Sequence, residues 1–288
     1  MIAEMVKAMQ FEFMQNAMLA GVLVSVACGI IGTYVVLKRI VFLSGGVAHT
    51  AYGGIGLGYL LGINPLFSAV VFSLLASFGM GIVERRTKQR ADTIIGVMWA
   101  LGMALGIIFV DLSPGYKADL MSYLFGSILA VSTFELVLMA ILNVVILLIV
   151  IVFFKELLAI SFDETYALVR NVPVDVIYML LVGMIGLTVV MMMRIVGLIM
   201  VIALMTIPPA ISNMWVKDMK KMMVISVFLS LSFSLVGLWL SYFVNLTSGA
   251  TIILVAGMVY LLSLLGKAIS QKIVHKDTLG KTLSNRVE

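Results

Sequence analysis

Apolar runs of about twenty residues, each closed by a glycine, a proline or a charged residue, repeat along the chain from residue 14 to residue 266. That length is what a helix needs to cross the hydrocarbon of a bilayer. The runs predict crossings at 14–37, 42–61, 65–83, 93–110, 134–154, 174–193, 197–215, 222–243 and 250–266, with one crossing fewer as the alternative. Segment 120–132, "LMSYLFGSILAVS", is too short to span and predicts a re-entrant or broken helix packed against protein. The expected fold class is therefore all-α: a polytopic integral membrane bundle of eight to nine spans. Its transmembrane domain would cover 14–266, between an N-terminal extracytoplasmic segment, 1–13, and a cytoplasmic C-terminal tail, 267–288.

Composition sharpens this picture. Of the 288 residues, 62% are hydrophobic and 11% charged, whereas soluble domains carry about 25% charged residues. No stretch is left for a soluble catalytic domain. The net charge of +5 does not point to nucleic acid, because the basic residues cluster at the ends of spans. All of the 19 Lys and Arg residues except Lys7, Lys117 and Arg194 fall on one side of the predicted bundle. Basic residues favour the cytoplasmic side, so the C-terminus is expected inside and the N-terminus outside. The N-terminus lacks the basic-then-apolar pattern of a cleaved signal and is read as retained. Cys28 is the single cysteine, which excludes an intrachain disulfide.

One span carries unusual chemistry. In "SGGVAHTAYGGIGLGYLLGINP", Gly46, Thr50, Gly54, Gly58 and Gly62 recur every four residues, and Gly45 and Gly53 lie one turn either side of His49. Such a stripe lets helices pack closely, or lines a narrow passage; the spacing fits both. Gly45, Gly46, Thr50 and Gly53 are the candidate pathway-lining positions. His49 lies about 15 Å of helical rise past Arg39 and about 20 Å before Gly62, near the midplane. Ionisable groups at that depth are rare and mark transport pathways more often than not. Imidazole is also a common ligand for transition metals, but one histidine does not hold an ion alone. Elsewhere, "MTIPPAIS" places Pro208 and Pro209 late in a span as candidate kink positions. Residues 161–180 form a polar cytoplasmic stretch, with Asp163 and Glu164 opening a short surface helix suited to a soluble partner.

In order and spacing, "GTYVVLKRI", "SGGVAHTAYGGIGLGYLLGINP", "ADTIIGVMWALGMALGII", "DLMSYLFGSILAVS", "VGLIMVIALMTIPPAIS" and "SGATIILVAGMVYLLSLL" resemble the membrane subunit of zinc, manganese and iron importers of the ATP-binding-cassette class. The resemblance implies a permease without an ATPase site of its own, paired with a second copy of itself. ATP would be bound by a cytoplasmic ATPase dimer, and a divalent metal ion would be delivered by an extracytoplasmic metal-binding protein. It places the chain in the inner membrane of a prokaryote. It also implies that His49 is a metal ligand and that 162–175, with Asp163, Glu164, Ala167 and Asn171, couples to the ATPase. The family's aspartate, four residues before the histidine, falls on Gly45, where this chain departs from the pattern.

A different class of function, a secondary carrier driven by an ion gradient, would need intramembrane carboxylates. Asp111, Asp119 and Glu135 all fall near the outer ends of predicted spans, which weighs against it.

Overall fold

The computed structural model describes residues 7, 9–87, 91–114, 125–193, 195, 197–198 and 201–284. Lys117, Asp119, Arg194 and residues 120–124 of the predicted re-entrant segment lie outside the described residues. Within them the chain forms α1 (Glu12–Lys38), α2 (Val41–Leu61), α3 (Pro65–Arg86), α4 (Ala91–Leu112), a 3-10 turn (Ile128–Ala130), α5 (Thr133–Val152), α6 (Phe154–Phe162) and α7 (Glu164–Val169). Then follow α8 (Val174–Met193), α9 (Val201–Trp215), α10 (Met219–Val244) and α11 (Ser248–Ser284). Among the described residues the fold is all-helical, as the apolar runs predict.

Seven of these helices are long and apolar enough to cross a membrane: α1, α3, α4, α5, α8, α10 and the first part of α11. The two remaining predicted crossings fall on helices of a different kind. Helix α2 has 21 residues, but its glycines, His49 and Thr50 dilute its hydropathy; α9 has only 15 residues. The end of the 120–132 segment is a break, with Gly126 at φ 74° ahead of the 3-10 turn. Ser132 then starts α5 with a capping box, in which its hydroxyl accepts from the Glu135 backbone while the Glu135 carboxylate accepts from the Ser132 backbone. Glu135 thus serves as a helix-start device. The tail expected to follow residue 266 is a continuation of α11 as far as Ser284.

Local signals explain the boundaries. The chain leaves α2 through Gly62, whose φ of 65° lets Ile63 N–H reach back to Gly58 O at 3.0 Å. Asn64 then caps α3, accepting from Leu66 N–H at 2.9 Å, with Pro65 in the first turn. Asp218 caps α10 in the same manner, accepting from Lys221 N–H.

Helix α2 is the centre of the bundle. Every residue from Leu43 to Gly56 is buried, with α3 and α4 as its main neighbours and α8 and α9 behind. Lipid tails are as apolar as leucine, so helices in a bilayer associate through close packing and hydrogen bonds, and small residues make that approach possible. A Cβ on Gly56 would strike the Gly106 backbone of α4, one on Gly102 would meet Thr50 at 2.5 Å, and one on Gly54 would meet the Ser68 carbonyl of α3 at 2.8 Å. The four-residue stripe is a packing seam in this protomer. Two polar side chains add cross-links. Thr50 Oγ1 donates to Gly46 O at 2.8 Å and approaches Met98 O at 3.3 Å. Asn143 of α5 donates to Leu23 O of α1.

Helix α9 runs through Pro208 and Pro209 without stopping. Each proline lacks the N–H that its helix would use. The Met205 carbonyl, four residues before Pro209, lies against Gly32 of α1, where a side chain of any size would collide with it.

If the glycine seam holds the bundle, Gly56→Val should destabilise the purified protein by about 1–3 kcal/mol, the scale of overpacking a tight core. Gly257→Ala, where a Cβ meets nothing within 4 Å, should leave stability unchanged or slightly raised. Equal thermal unfolding midpoints for the two variants would contradict the seam.

Candidate metal pathway and cytoplasmic coupling surface

The position of His49 follows from the seam. Because Gly102 and Gly106 of α4 bring its backbone against Thr50, Tyr52 and Gly56, the α4 side chains Trp99 and Met103 land on the imidazole. They are four residues apart and so share one face of α4. The His49 ring stacks on the Trp99 indole at 4.2 Å between centroids and 16° between planes. Its Nδ1 lies 3.2 Å from Met103 Sδ. The ring is 8% exposed.

The other predicted pathway positions meet neighbouring helices. Gly45 faces α9, where a Cβ would overlap the side chain of Ile202. The space of the family's aspartate is filled by an isoleucine. Gly46 abuts Ile95 and Met80, and Gly53 abuts Phe72 and the Gly102 carbonyl. All four positions are thus pressed against helices of the same protomer: Gly45 against α9, Gly46 against α3 and α4, Thr50 against α4, and Gly53 against α3 and α4. Among the described residues there is no group of three or more His, Cys, Asp or Glu side chains able to hold a metal ion.

At the opposite end of α1, α3 and α8 from Gly62 lies a second constellation. Lys38, 8% exposed at its side chain, donates to Glu164 Oε1 at 2.5 Å and to Ile160 O at 2.8 Å. Arg85 reaches Glu164 Oε2 at 3.5 Å and also pairs with Asp175. Tyr178 donates its hydroxyl to Glu84, and its ring lies under Lys38 at 5.4 Å and Arg85 at 5.1 Å. A cation over an aromatic face is attracted by the ring quadrupole. Together these contacts strap α6 and α7 onto the ends of α1, α3 and α8.

The four predicted coupling residues therefore have distinct jobs. Asp163 caps α7, its Oδ1 accepting from Thr165 and Tyr166 N–H. Glu164 faces its own bundle as an ion-pair anchor. Ala167 is fully buried. Asn171 takes the left-handed conformation at φ 57° that ends the short helix, one that asparagine tolerates better than most residues. The surface turned outward is apolar: Phe162, Tyr166, Leu168 and Val169 are all more than half exposed. Sequence reasoning chose the charged residues and passed over these. The overlooked signal was their hydrophobicity in a connector that had no span to build.

Burial pushes the Glu164 carboxyl up, but the Lys38 hydrogen bond and charge, with Arg85, outweigh it and hold the group below its ordinary value.

A chain of multiple apolar helices around a buried, glycine-seamed core is a polytopic membrane protein. It belongs to the ABC 3 transport family, whose model matches residues 10–267. An uncharacterized membrane protein of Synechocystis is 59% identical over 264 residues, covering 92% of this chain and 94% of the relative. The manganese import system permease protein ScaB of Streptococcus gordonii is 31% identical, covering 91% and 95%. Among solved structures, PsaBC of Streptococcus pneumoniae in complex with Fab is similar at a TM-score of 0.83 and 31% identity, covering 91% of this chain and 95% of that one.

The depressed pKa of Glu164 fixes a direction. A carboxylate whose folded pKa lies below its ordinary 4.5 contributes stability in full above that value, and the contribution is lost as pH falls through the folded pKa. Hydrogen exchange of residues 164–169, corrected for its intrinsic pH dependence, should be slow near neutrality and accelerate on acidification, and should be fast throughout in Glu164→Gln. Equal protection in both proteins would show that the ion pair does not hold α7.

Proposed function

We propose that this chain is the permease of an ATP-binding-cassette importer that moves a divalent transition-metal ion, zinc or manganese, into the cytoplasm. The observation that carries the reading is a buried imidazole, His49, on the central helix of a chain that belongs to the ABC 3 transport family. The naming of ScaB as a manganese import permease, and of further relatives as manganese or metal transport membrane proteins, supports a metal ion as cargo. The gradient-driven carrier has no such support.

In this reading the chain crosses the inner membrane of a prokaryote nine times, with α2 and α9 sheltered inside the bundle, the N-terminus outside and the C-terminus in the cytoplasm. Two copies pair, an extracytoplasmic binding protein delivers the ion, and His49 holds it briefly beside Gly45. A site built for release has no need of the closed four-ligand geometry of structural zinc sites. ATP hydrolysis on two separate cytoplasmic subunits shifts the dimer between outward-open and inward-open states by binding one of them better. The apolar surface of α6 and α7 receives that motion, and Glu164, Lys38 and Arg85 pass it to the transmembrane helices.

The permease, reconstituted in vesicles with its ATPase and binding protein, should show ATP-dependent metal uptake, and His49→Ala should lower it by about tenfold or more, the scale of losing a metal-site interaction. Unchanged uptake would remove His49 from the pathway. Val169→Asp, which puts a charge at the centre of the outward apolar surface, should weaken ATPase copurification by about tenfold, as loss of an interface hot spot does. Intact copurification would place docking elsewhere.

A further inference from the structure

The surroundings of His49 bear on which ion is carried, granted the import reading above. The ring's described neighbours are a thioether, at 3.2 Å from Nδ1, and an indole. One turn earlier, where a carboxylate would have to stand, Gly45 faces the Ile202 side chain. Carboxylate and carbonyl oxygens suit manganese, whereas imidazole suits zinc and the softer thioether sulfur favours ions at that end of the series. We infer that Met103 is a second donor to the transported ion, and that His49 and Met103 form a nitrogen–sulfur site which takes zinc in preference to manganese.

The geometry is close to what this needs. A tetrahedral zinc ion with ordinary bonds to nitrogen and sulfur separates those two atoms by about 3.6 Å. Nδ1 and Sδ are 3.2 Å apart, so an opening of about 0.4 Å, within the rotamer play of an unbranched methionine, admits the ion. Trp99, stacked on the imidazole, fixes the ring plane with Nδ1 beside the sulfur. The thioether is uncharged, so it adds affinity without the strong electrostatic hold of a carboxylate on a dication. The second copy of the permease would double the set to two imidazoles and two thioethers.

Two measurements on the reconstituted permease–ATPase complex test this. In X-ray absorption at the zinc edge, zinc-loaded wild type should show sulfur in the first shell, and Met103→Leu, which conserves volume, should lose it while keeping its unfolding temperature. With zinc and manganese offered together to the complete transporter, wild type should take up zinc preferentially, and Met103→Leu should narrow that preference by about tenfold, the scale of altering a metal's surroundings. Gly45→Asp combined with Ile202→Ala, which makes room for a carboxylate, should move uptake toward manganese. A first shell without sulfur, or a wild-type preference for manganese, would overturn the inference while ATP-dependent uptake leaves the import reading standing. Absence of ATP-dependent uptake of either ion would sink both.

Discussion

The structure depends on the approach of backbones across α2. Fourteen consecutive positions, Leu43 to Gly56, are buried, which no helix facing lipid could show. In a bilayer no hydrophobic force drives one helix onto another, so the contact must come from dispersion between closely fitted surfaces. Glycine at Gly54, Gly56, Gly102 and Gly106 supplies the fit, and the register it imposes decides where every other side chain of α4 falls. Trp99 and Met103 meet His49 because the glycines one turn away meet Thr50 and Tyr52. The surroundings of His49 are thus a by-product of packing geometry.

The end of the bundle that carries α6 and α7 is held by a different physics. Lys38 is nearly buried, and an unpaired ammonium there would carry a large desolvation penalty. Its partners are Glu164, the Ile160 carbonyl and the Tyr178 ring, so α6 and α7 are not an appendage but the counter-charge of the bundle. Of the helices gathered there, α1 leads directly into α2 and α3 packs against it. The surface helix and the histidine-bearing helix therefore belong to one mechanical unit.

The sequence disclosed a good part of this. Hydropathy located the long apolar helices, seven of which have the length and composition of membrane spans, and the four-residue glycine period singled out α2. The ordered segments pointed to the family that the comparison then established. Contacts between residues far apart in the chain were not visible. Lys38, Arg85, Glu164 and Asp175 carry no local mark of pairing, and the cap made by Asp163 and the ion pairs made by Glu164 could not be read from the sequence. Trp99 and Met103 were closer to reach: "WALGMALG" holds a second small-residue period, Gly102 and Gly106, that matches the one on α2. Read as a pair, the two stripes would have brought α4 against His49. The packing role of Gly46, Thr50 and Gly53 was undecidable from spacing, because a seam and a passage share one signature.

Gly45 and Ile202 lock together in a way that bears on how such a permease can change through descent. A Cβ at 45 would overlap the end of the Ile202 side chain, so any larger residue there requires Ile202 to move. Shrinking Ile202 first would leave a void beside the pathway with nothing to fill it, at a loss of stability. The carboxylate-free neighbourhood of His49 is thus coupled to Ile202, and an acid at 45 fits only together with a shift or a shortening of that side chain.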